Sequence, residues 1–298
     1  MPEKKPPKTI ATINFKGGVG KTTMTWCLGD YISTYQNDNT LIFDLDAQMS
    51  LTQAITLNDD GSVYEQFSDW SEKSYQTKKT VFYAIFEYIS DKKFNFDVDY
   101  NFIYKITEKY HFVPSVEELY WLELELGAFD RKLMKGFMRD LLGKVSCSEN
   151  VLGYNYILFD CPPSFTLLSY SILSCCDLIL IPVNPDFYAV KGVPLILNAL
   201  KLKIQPFPAP KIAVFMNKAK PHAGGMTKES KFYWDTVKRI CHDTSKETGI
   251  DIKCFDTPIY DRADIKRSVI GKNGIPQAFV PDFRILWDNI VRFINEQR

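Results

Sequence analysis

Apolar and polar positions along this chain follow two distinct rhythms. Short, mainly apolar runs over residues 10–13, 41–45, 110–113, 154–160, 177–183 and 211–216 predict strands buried on both faces, because a half-exposed strand would show a polar residue at every second position throughout. With one more added, the predicted strands centre near residues 10, 42, 111, 156, 179, 213 and 256. Between them apolar residues return at helical spacing, as Met24, Cys27, Leu28, Tyr31 and Ile32 do over residues 23–35. Residues 117–142 read as a long helical stretch. Residues 282–294 close the chain as an amphipathic helix with Phe283, Leu286, Trp287, Ile290, Val291 and Ile294 on its apolar side. Strands separated by helices predict an α/β chain: one doubly wound, mainly parallel sheet with helices on both faces, in a single domain over residues 1–298. One stretch breaks the rhythm. From residue 57 to 79 the sequence turns to Asp, Ser, Gln and Lys with scattered aromatics and no sustained period. That composition predicts a surface excursion, followed by a short amphipathic helix at 80–89 and an alternating aromatic segment at 94–105.

The first apolar run empties into Lys16-Gly17-Gly18-Val19-Gly20-Lys21-Thr22-Thr23, and a helical pattern follows at once. A strand, a glycine-rich bend and a helix in that order make a phosphate-binding loop. Glycines lack a Cβ, so the bend of Gly17, Gly18, Val19 and Gly20 can turn its backbone N–H groups inward on a triphosphate. The positive end of the following helix adds to the attraction. Lys21 is placed to reach the β- and γ-phosphates, the Thr22 hydroxyl to ligate Mg2+, and Thr23 to open the helix. Lys16 is not required by an ordinary loop of this kind.

Three later strand ends carry polar groups that such a loop needs. Residues 41–48 place Asp44 and Asp46 on the same side of a strand at its carboxyl end, where open parallel sheets gather their ligands. Aspartates at a strand end also cap turns and helices, so Asp44 reads as either a structural residue or a partner of a Mg2+-bound water. The strand over 154–160 ends in Asp160-Cys161-Pro162-Pro163-Ser164. An Asp there holds a Mg2+-bound water beside the loop, and the prolines fix an extended exit. The strand at 211–216 runs into Asn217-Lys218, where the asparagine is either a turn former or, through an amide that both donates and accepts, a reader of a base edge.

The lysine-bearing loop, Asp44-x-Asp46, the Asp160-Cys-Pro-Pro-Ser strand end, Asn217 and the segment 258–262 arrive in an order that resembles the ParA/MinD family of deviant Walker A ATPases. Within it the chain is similar to ParA/Soj partition ATPases of the short type, without an N-terminal helix-turn-helix, and the resemblance covers nearly the whole length. It implies a P-loop NTPase fold, ATP and Mg2+ as cofactors, and slow, partner-stimulated hydrolysis. It implies an ATP-bound homodimer in which Lys16 reaches in trans to the partner's nucleotide, much as an arginine finger does. It further implies that Asp46 orients or deprotonates the attacking water, that Asn217 reads the adenine edge, that Pro258 belongs to the nucleotide site, and that residues 185–192 lie near the subunit contact. Ala47 stands where the family pattern has proline, and Met49-Ser50 where a Gly-Asn pair is common, which leaves the geometry of that loop open. The partners implied are nonspecific double-stranded DNA and a ParB-like centromere-binding or adaptor protein. Relative to compact ParA proteins the region at about 57–110 is an enlarged, variable excursion, either a surface specific to cargo or adaptor or a decorative loop with core aromatics.

Composition narrows the alternatives. The chain has 298 residues, 45% hydrophobic and 24% charged, as ordinary globular domains do, and its 36 basic and 36 acidic residues cancel, so the net charge gives no hint of nucleic acid. Charge is unevenly spread, however: residues 41–130 are acidic, and residues 201–272 hold roughly twice as many basic as acidic residues. Arg262, Lys266 and Arg267 are the leading candidates for phosphate contacts on a duplex, with Lys228, Lys231, Lys238 and Arg239 on a predicted helix. The competing reading is a solvated face ion-paired to Asp235, Asp243 and Asp264. Seven cysteines without a CxxC pair or a metal-spaced histidine read as buried thiols in a reducing cytosol, which argues against an iron–sulfur or zinc role. No apolar segment reaches membrane length and residues 1–8 form a polar Lys/Pro arm, so neither a signal peptide nor a transmembrane helix is expected; the family resemblance implies a cytoplasmic, nucleoid-associated setting without membrane. Two rival classes share the scaffold. A MinD-like membrane-associated positioning ATPase would carry a detachable Lys-rich amphipath, unlike the final helix here. A metabolic or metal-delivery enzyme would carry a cysteine cluster or a second-substrate motif.

Overall fold

A computed structural model of the protein describes residues 6–57, 68, 82, 85, 103–126, 136–143, 153–203, 210–222, 225–261, 265 and 274–296. The chain runs β1 (Lys8–Thr12), α1 (Lys21–Tyr35), β2 (Thr40–Asp44), α2 (Ser50–Thr56), β3 (Tyr104–Lys105), β4 (Tyr110–Val113) and α3 (Glu118–Leu126). It continues β5 (Tyr156–Asp160), α4 (Leu167–Leu173), β6 (Leu178–Val183), α5 (Phe187–Lys203), β7 (Lys211–Met216), β8 (Pro221–His222) and β9 (Gly225–Met226). Then come α6 (Lys228–Thr248), β10 (Ile252–Phe255), a 3-10 turn (Gln277–Phe279) and α7 (Val280–Asn295).

The continuous apolar runs become strands covered on both faces: every residue of β2, β6 and β7 is buried. Such strands cannot alternate, since neither face meets water. They form one sheet in the order β10-β7-β6-β1-β5-β2-β4-β3, parallel throughout except for β3, which runs antiparallel to β4. This is the expected doubly wound, mainly parallel sheet. β8 and β9 pair separately as a small hairpin. β1 lies between β5 and β6. The chain therefore leaves β1 toward one side of the sheet and later returns on the other, which opens a crevice at the carboxyl ends of these central strands.

α1 packs on β1, β2 and β5. Gly29 lets β4 come close, since a Cβ there would stand 2.5 Å from the Tyr110 hydroxyl. That hydroxyl donates to the Trp26 carbonyl at 2.9 Å. The helix opens at Lys21, ahead of the expected Thr23, because Gly20 with φ +90° already turns the chain into it. The long helical stretch expected at 117–142 is seen as α3 and as helical residues 136–143, with 127–135 outside the described residues. Most of the excursion at about 57–110 also lies outside them, including the helix expected at 80–89 apart from positions 82 and 85 and the aromatic segment expected at 94–105 apart from 103–105; its described residues are 57, 68, 82, 85 and 103–110, with β3 among them.

The final helix packs inward. Phe283, Leu286, Trp287, Ile290 and Phe293 of α7 are buried, and the Trp287 ring meets Tyr156 edge-on at 4.7 Å. α7 also rests against α1. Its C-terminal end is held by Lys211 of β7, 5% exposed, whose ammonium donates to the carbonyls of Phe293 at 2.5 Å and Glu296 at 2.7 Å. A cation there satisfies carbonyls that lack helical partners and meets the negative end of the helix dipole. Among the described residues no helix is long and apolar enough to cross a membrane. Lys211→Met, which keeps the stem and strips the ammonium, is expected to destabilise the fold by about 2 kcal/mol, as charge-assisted bonds of this kind contribute. Urea denaturation measures it, and an unchanged midpoint would contradict the anchoring role.

Candidate nucleotide site

The crevice is built from β1 outward. After Thr12 the backbone stays on the sheet for one step, Ile13 N–H donating to Leu180 O at 3.0 Å, and then departs. Asn14, 5% exposed, directs the departure: its amide donates to Pro182 O at 2.8 Å while its side-chain oxygen accepts from Lys16 N–H at 2.9 Å. The bend then turns through two left-handed glycines, Gly18 at φ +73° and Gly20 at φ +90°. Gly20 admits no side chain for a second reason: a Cβ would stand 2.5 Å from the Asn217 amide nitrogen. Val19 is buried between them. Gly20 gives α1 no side-chain cap, so the N–H groups of the first turn face the crevice, where an anion is their natural partner.

Lys21 is 7% exposed, and Thr22 and Thr23 beside it are half-buried. Lys16 behaves differently. It stands at the rim with its side chain 36% exposed, ion-paired to Asp186 at 2.7 Å, with its ammonium 4.6 Å from the centre of the Tyr188 ring. Asp186 also accepts from Ala189 N–H at 3.1 Å, so it caps α5 as it holds Lys16. The structure thus brings the loop lysine and the expected contact segment 185–192 together within one chain.

The two strand-end carboxylates lie side by side, since Asp44 on β2 and Asp160 on β5 are register partners. They have different surroundings. Asp44 accepts from Thr52 N–H and the Thr52 hydroxyl, both at 2.8 Å, and from Asp46 N–H at 3.1 Å, so its oxygens are engaged in holding the start of α2. Burial still pushes it up to about 6, with the hydrogen bonds from Thr52 and Asp46 opposing. Asp160 is 1% exposed and neither of its oxygens meets a hydrogen-bond partner of good geometry. Burial first, and the Asp44 carboxylate second, push it well above the ordinary range, while the Thr22 hydroxyl and the Lys21 ammonium pull it back. A buried carboxylate with open lone pairs beside a threonine hydroxyl fits a hard divalent cation with oxygen ligands. Asp46, just past β2, is half-exposed; its side chain accepts from Gln48 N–H at 3.0 Å, and its carbonyl accepts from Met49 N–H and the Ser115 hydroxyl, each at 2.8 Å.

The far side of the crevice is a cleft lined by Gly20, Thr23, Met24, Asn217, Lys218, Tyr260, Asp261 and Ile265. Asn217 is 2% exposed and donates from its amide to Val19 O at 2.7 Å, so one amide hydrogen is committed to the loop itself. Pro258 is half-buried just before the cleft segment, in a strand-like run where Ile259 N–H donates to Met216 O at 2.9 Å. Reasoning from sequence missed Met24, Lys218, Tyr260, Asp261 and Ile265 as cleft residues. The available signal was position: the segments after β7 and β10, which are parallel neighbours, must emerge together. Arg262, Lys266 and Arg267 lie outside the described residues. On α6, Lys228, Lys231 and Arg239 are exposed, whereas Lys238 pairs with Asp235 at 3.2 Å and Asp256 at 3.1 Å, the solvated-face arrangement for that residue.

The raised carboxylates have a consequence for stability. Both titrate higher in the fold than in the unfolded chain, so the folded protein binds the extra protons, and stability falls as pH climbs through that window when no divalent cation is present. Asp160→Asn removes a buried charge. In chelator its stability relative to the parent is expected to be greater at about pH 8 than near pH 4.5, because the parent alone must ionise a buried carboxylate as pH climbs. Urea denaturation at both pH values reads this, and an equal difference at each would contradict it.

A family model described as AAA domain (AAA_31) matches residues 7–211. The sporulation initiation inhibitor protein Soj of Bacillus subtilis is 29% identical over 197 residues, covering 65% of this chain and 65% of its own length. The chain thus spans slightly less than two thirds of that curated relative. Among solved structures, an ATP complex of a McdA variant from Cyanothece matches with a TM-score of 0.70 at 16% identity, covering 99% of this chain and 98% of the other. A plasmid partition protein from Borrelia burgdorferi matches with a TM-score of 0.58 at 20% identity, covering 97% and 99%. At these identities the structures share the fold. The family model covers more than half of the chain and places it in the AAA_31 family of AAA domains.

Proposed function

We propose that the chain is a Mg2+-dependent, dimerising positioning ATPase that binds DNA without sequence preference in its ATP state. With a ParB-like or adaptor partner it would segregate a plasmid, a chromosome or another cargo. The contrast between the two loop lysines carries this reading. Lys21 is buried at the start of α1, whereas Lys16 stands at the rim. One is committed to the nucleotide of its own chain and the other is within reach of a neighbour's.

In this mechanism the loop N–H groups and Lys21 bind the β- and γ-phosphates, and Asn217 with the cleft beyond it receives the base. Thr22 and Asp160 are the residues that would hold Mg2+, which supplies charge neutralisation at the phosphate oxygens. Asp46, fixed by the turn to Met49, orients the attacking water. Lys16 leaves Asp186 and turns to the partner's phosphates; the half-exposed ion pair that it gives up is of the kind that contributes little, about 0–1 kcal/mol. Hydrolysis removes the charge that drew it across, and the pair of subunits parts, so ATP acts as a timer on assembly. The exposed cations of α6 support a sequence-independent, salt-sensitive hold on phosphates. The inward packing of α7 supports a soluble over a lipid-bound mode.

Light scattering with ATP and Mg2+ tests the proposal. Lys16→Ala is expected to bind ATP yet remain single and to lose at least about tenfold in hydrolysis, the loss of a transition-state cation. Asp46→Ala is expected to accumulate as an ATP-bound dimer retained on random-sequence DNA. An ATP-driven dimer in Lys16→Ala, or ordinary turnover in Asp46→Ala, would contradict the roles assigned.

A further inference from the structure

The phosphate loop is touched by a third lysine that does not belong to it. We propose that Lys218 is a positioning residue of this loop, holding its N–H groups in the anion-binding direction before any nucleotide arrives; the proposal rests on the reading of the loop as a nucleotide site. β7 ends at Met216, and the next two side chains reach back to two consecutive carbonyls of the loop. Asn217 donates to Val19 O at 2.7 Å, and the Lys218 ammonium donates to Gly18 O. A trans peptide unit carries its C=O and its N–H on opposite sides. Drawing the Gly18 carbonyl outward therefore turns the Val19 N–H inward, and drawing the Val19 carbonyl outward does the same for the Gly20 N–H. The clamp sets the direction of the donors from behind.

The backbone of Lys218 gives independent support. It sits at φ +54°, in the left-handed region that non-glycine residues seldom occupy. The conformation is held by its surroundings: Ala219 N–H donates to Ile259 O and Asp261 N–H donates to Ala219 O, each at 3.0 Å. A lysine kept in a conformation that glycine adopts more readily marks a side chain the site requires. Lys218 also lines the cleft with Met24, Tyr260 and Asp261, and its Cε lies 3.7 Å from where a Gly20 Cβ would stand. Its stem is thus a wall of the cleft while its head fixes the phosphate cradle.

The test separates the backbone from the ammonium. Lys218→Gly relieves the left-handed strain, so its Tm is expected to hold or rise. Calorimetric titration with ATP and with inorganic tripolyphosphate should show both weakened by a similar factor, on the order of tenfold for one charge-assisted bond. Lys218→Met should lose affinity for both in the same way, and Lys218→Arg should restore most of it. A merely structural lysine would move Tm and affinity in the same direction, which would overturn the proposal. So would parental affinity for both ligands in Lys218→Gly and Lys218→Met, or a loss for ATP with tripolyphosphate unaffected, since that would make Lys218 a cleft wall alone. If the parent protein binds ATP and Lys21→Ala does not, the nucleotide reading stands whatever Lys218 does; if the parent binds neither ligand, both fall together.

Discussion

A backbone that aims several N–H groups at one anion must turn the matching carbonyls away from it, and those carbonyls need donors of their own. That constraint organises the crevice of this protein. The sheet order places β1 between β5 and β6, with β7 one strand further, so the loop leaving β1 is backed by the ends of its neighbours. Asn14 ties the departing chain to β6, and Asn217 and Lys218 tie the loop's own carbonyls to the end of β7. The contact is so close that Gly20 has no room for a Cβ. Glycine at that position is therefore dictated twice, by a positive φ and by a neighbour across the sheet.

The same crevice contains a deliberate imbalance of charge. Asp160 is buried without a good hydrogen-bond partner, next to an Asp44 whose oxygens are already occupied by Thr52 and Asp46. Burying a carboxylate in that state is costly and raises its pKa. The proposed divalent cation and triphosphate would restore the balance by adding charges of both signs. The site would then be more stable filled than empty, and a change in its occupant would bear on the turn from Asp46 to α2, which is hydrogen-bonded to Asp44. This links the chemistry of the loop to the shape of a surface segment.

Much of this was legible in the residues. Apolar runs without alternation announced a covered parallel sheet, and the glycines with Lys21 and Thr22 announced the loop, because both signals are local. What the sequence did not disclose depends on partners far along the chain. Asp44 is engaged by Thr52, in a helix too short to show a period. Lys16 meets Asp186 at a separation of 170 residues, and Lys218 meets Gly18 at 200. β3 runs antiparallel at the sheet edge, where two residues carry no pattern. The left-handed backbone of Lys218 could not be foreseen from a residue type that rarely adopts it.

Isothermal titration of the parent protein with ATP, in Mg2+ and in chelator, tests most directly whether the crevice is a nucleotide site completed by a cation. One ATP per chain is expected, bound more tightly with Mg2+ than without. The absence of binding, or an affinity indifferent to Mg2+, would contradict it.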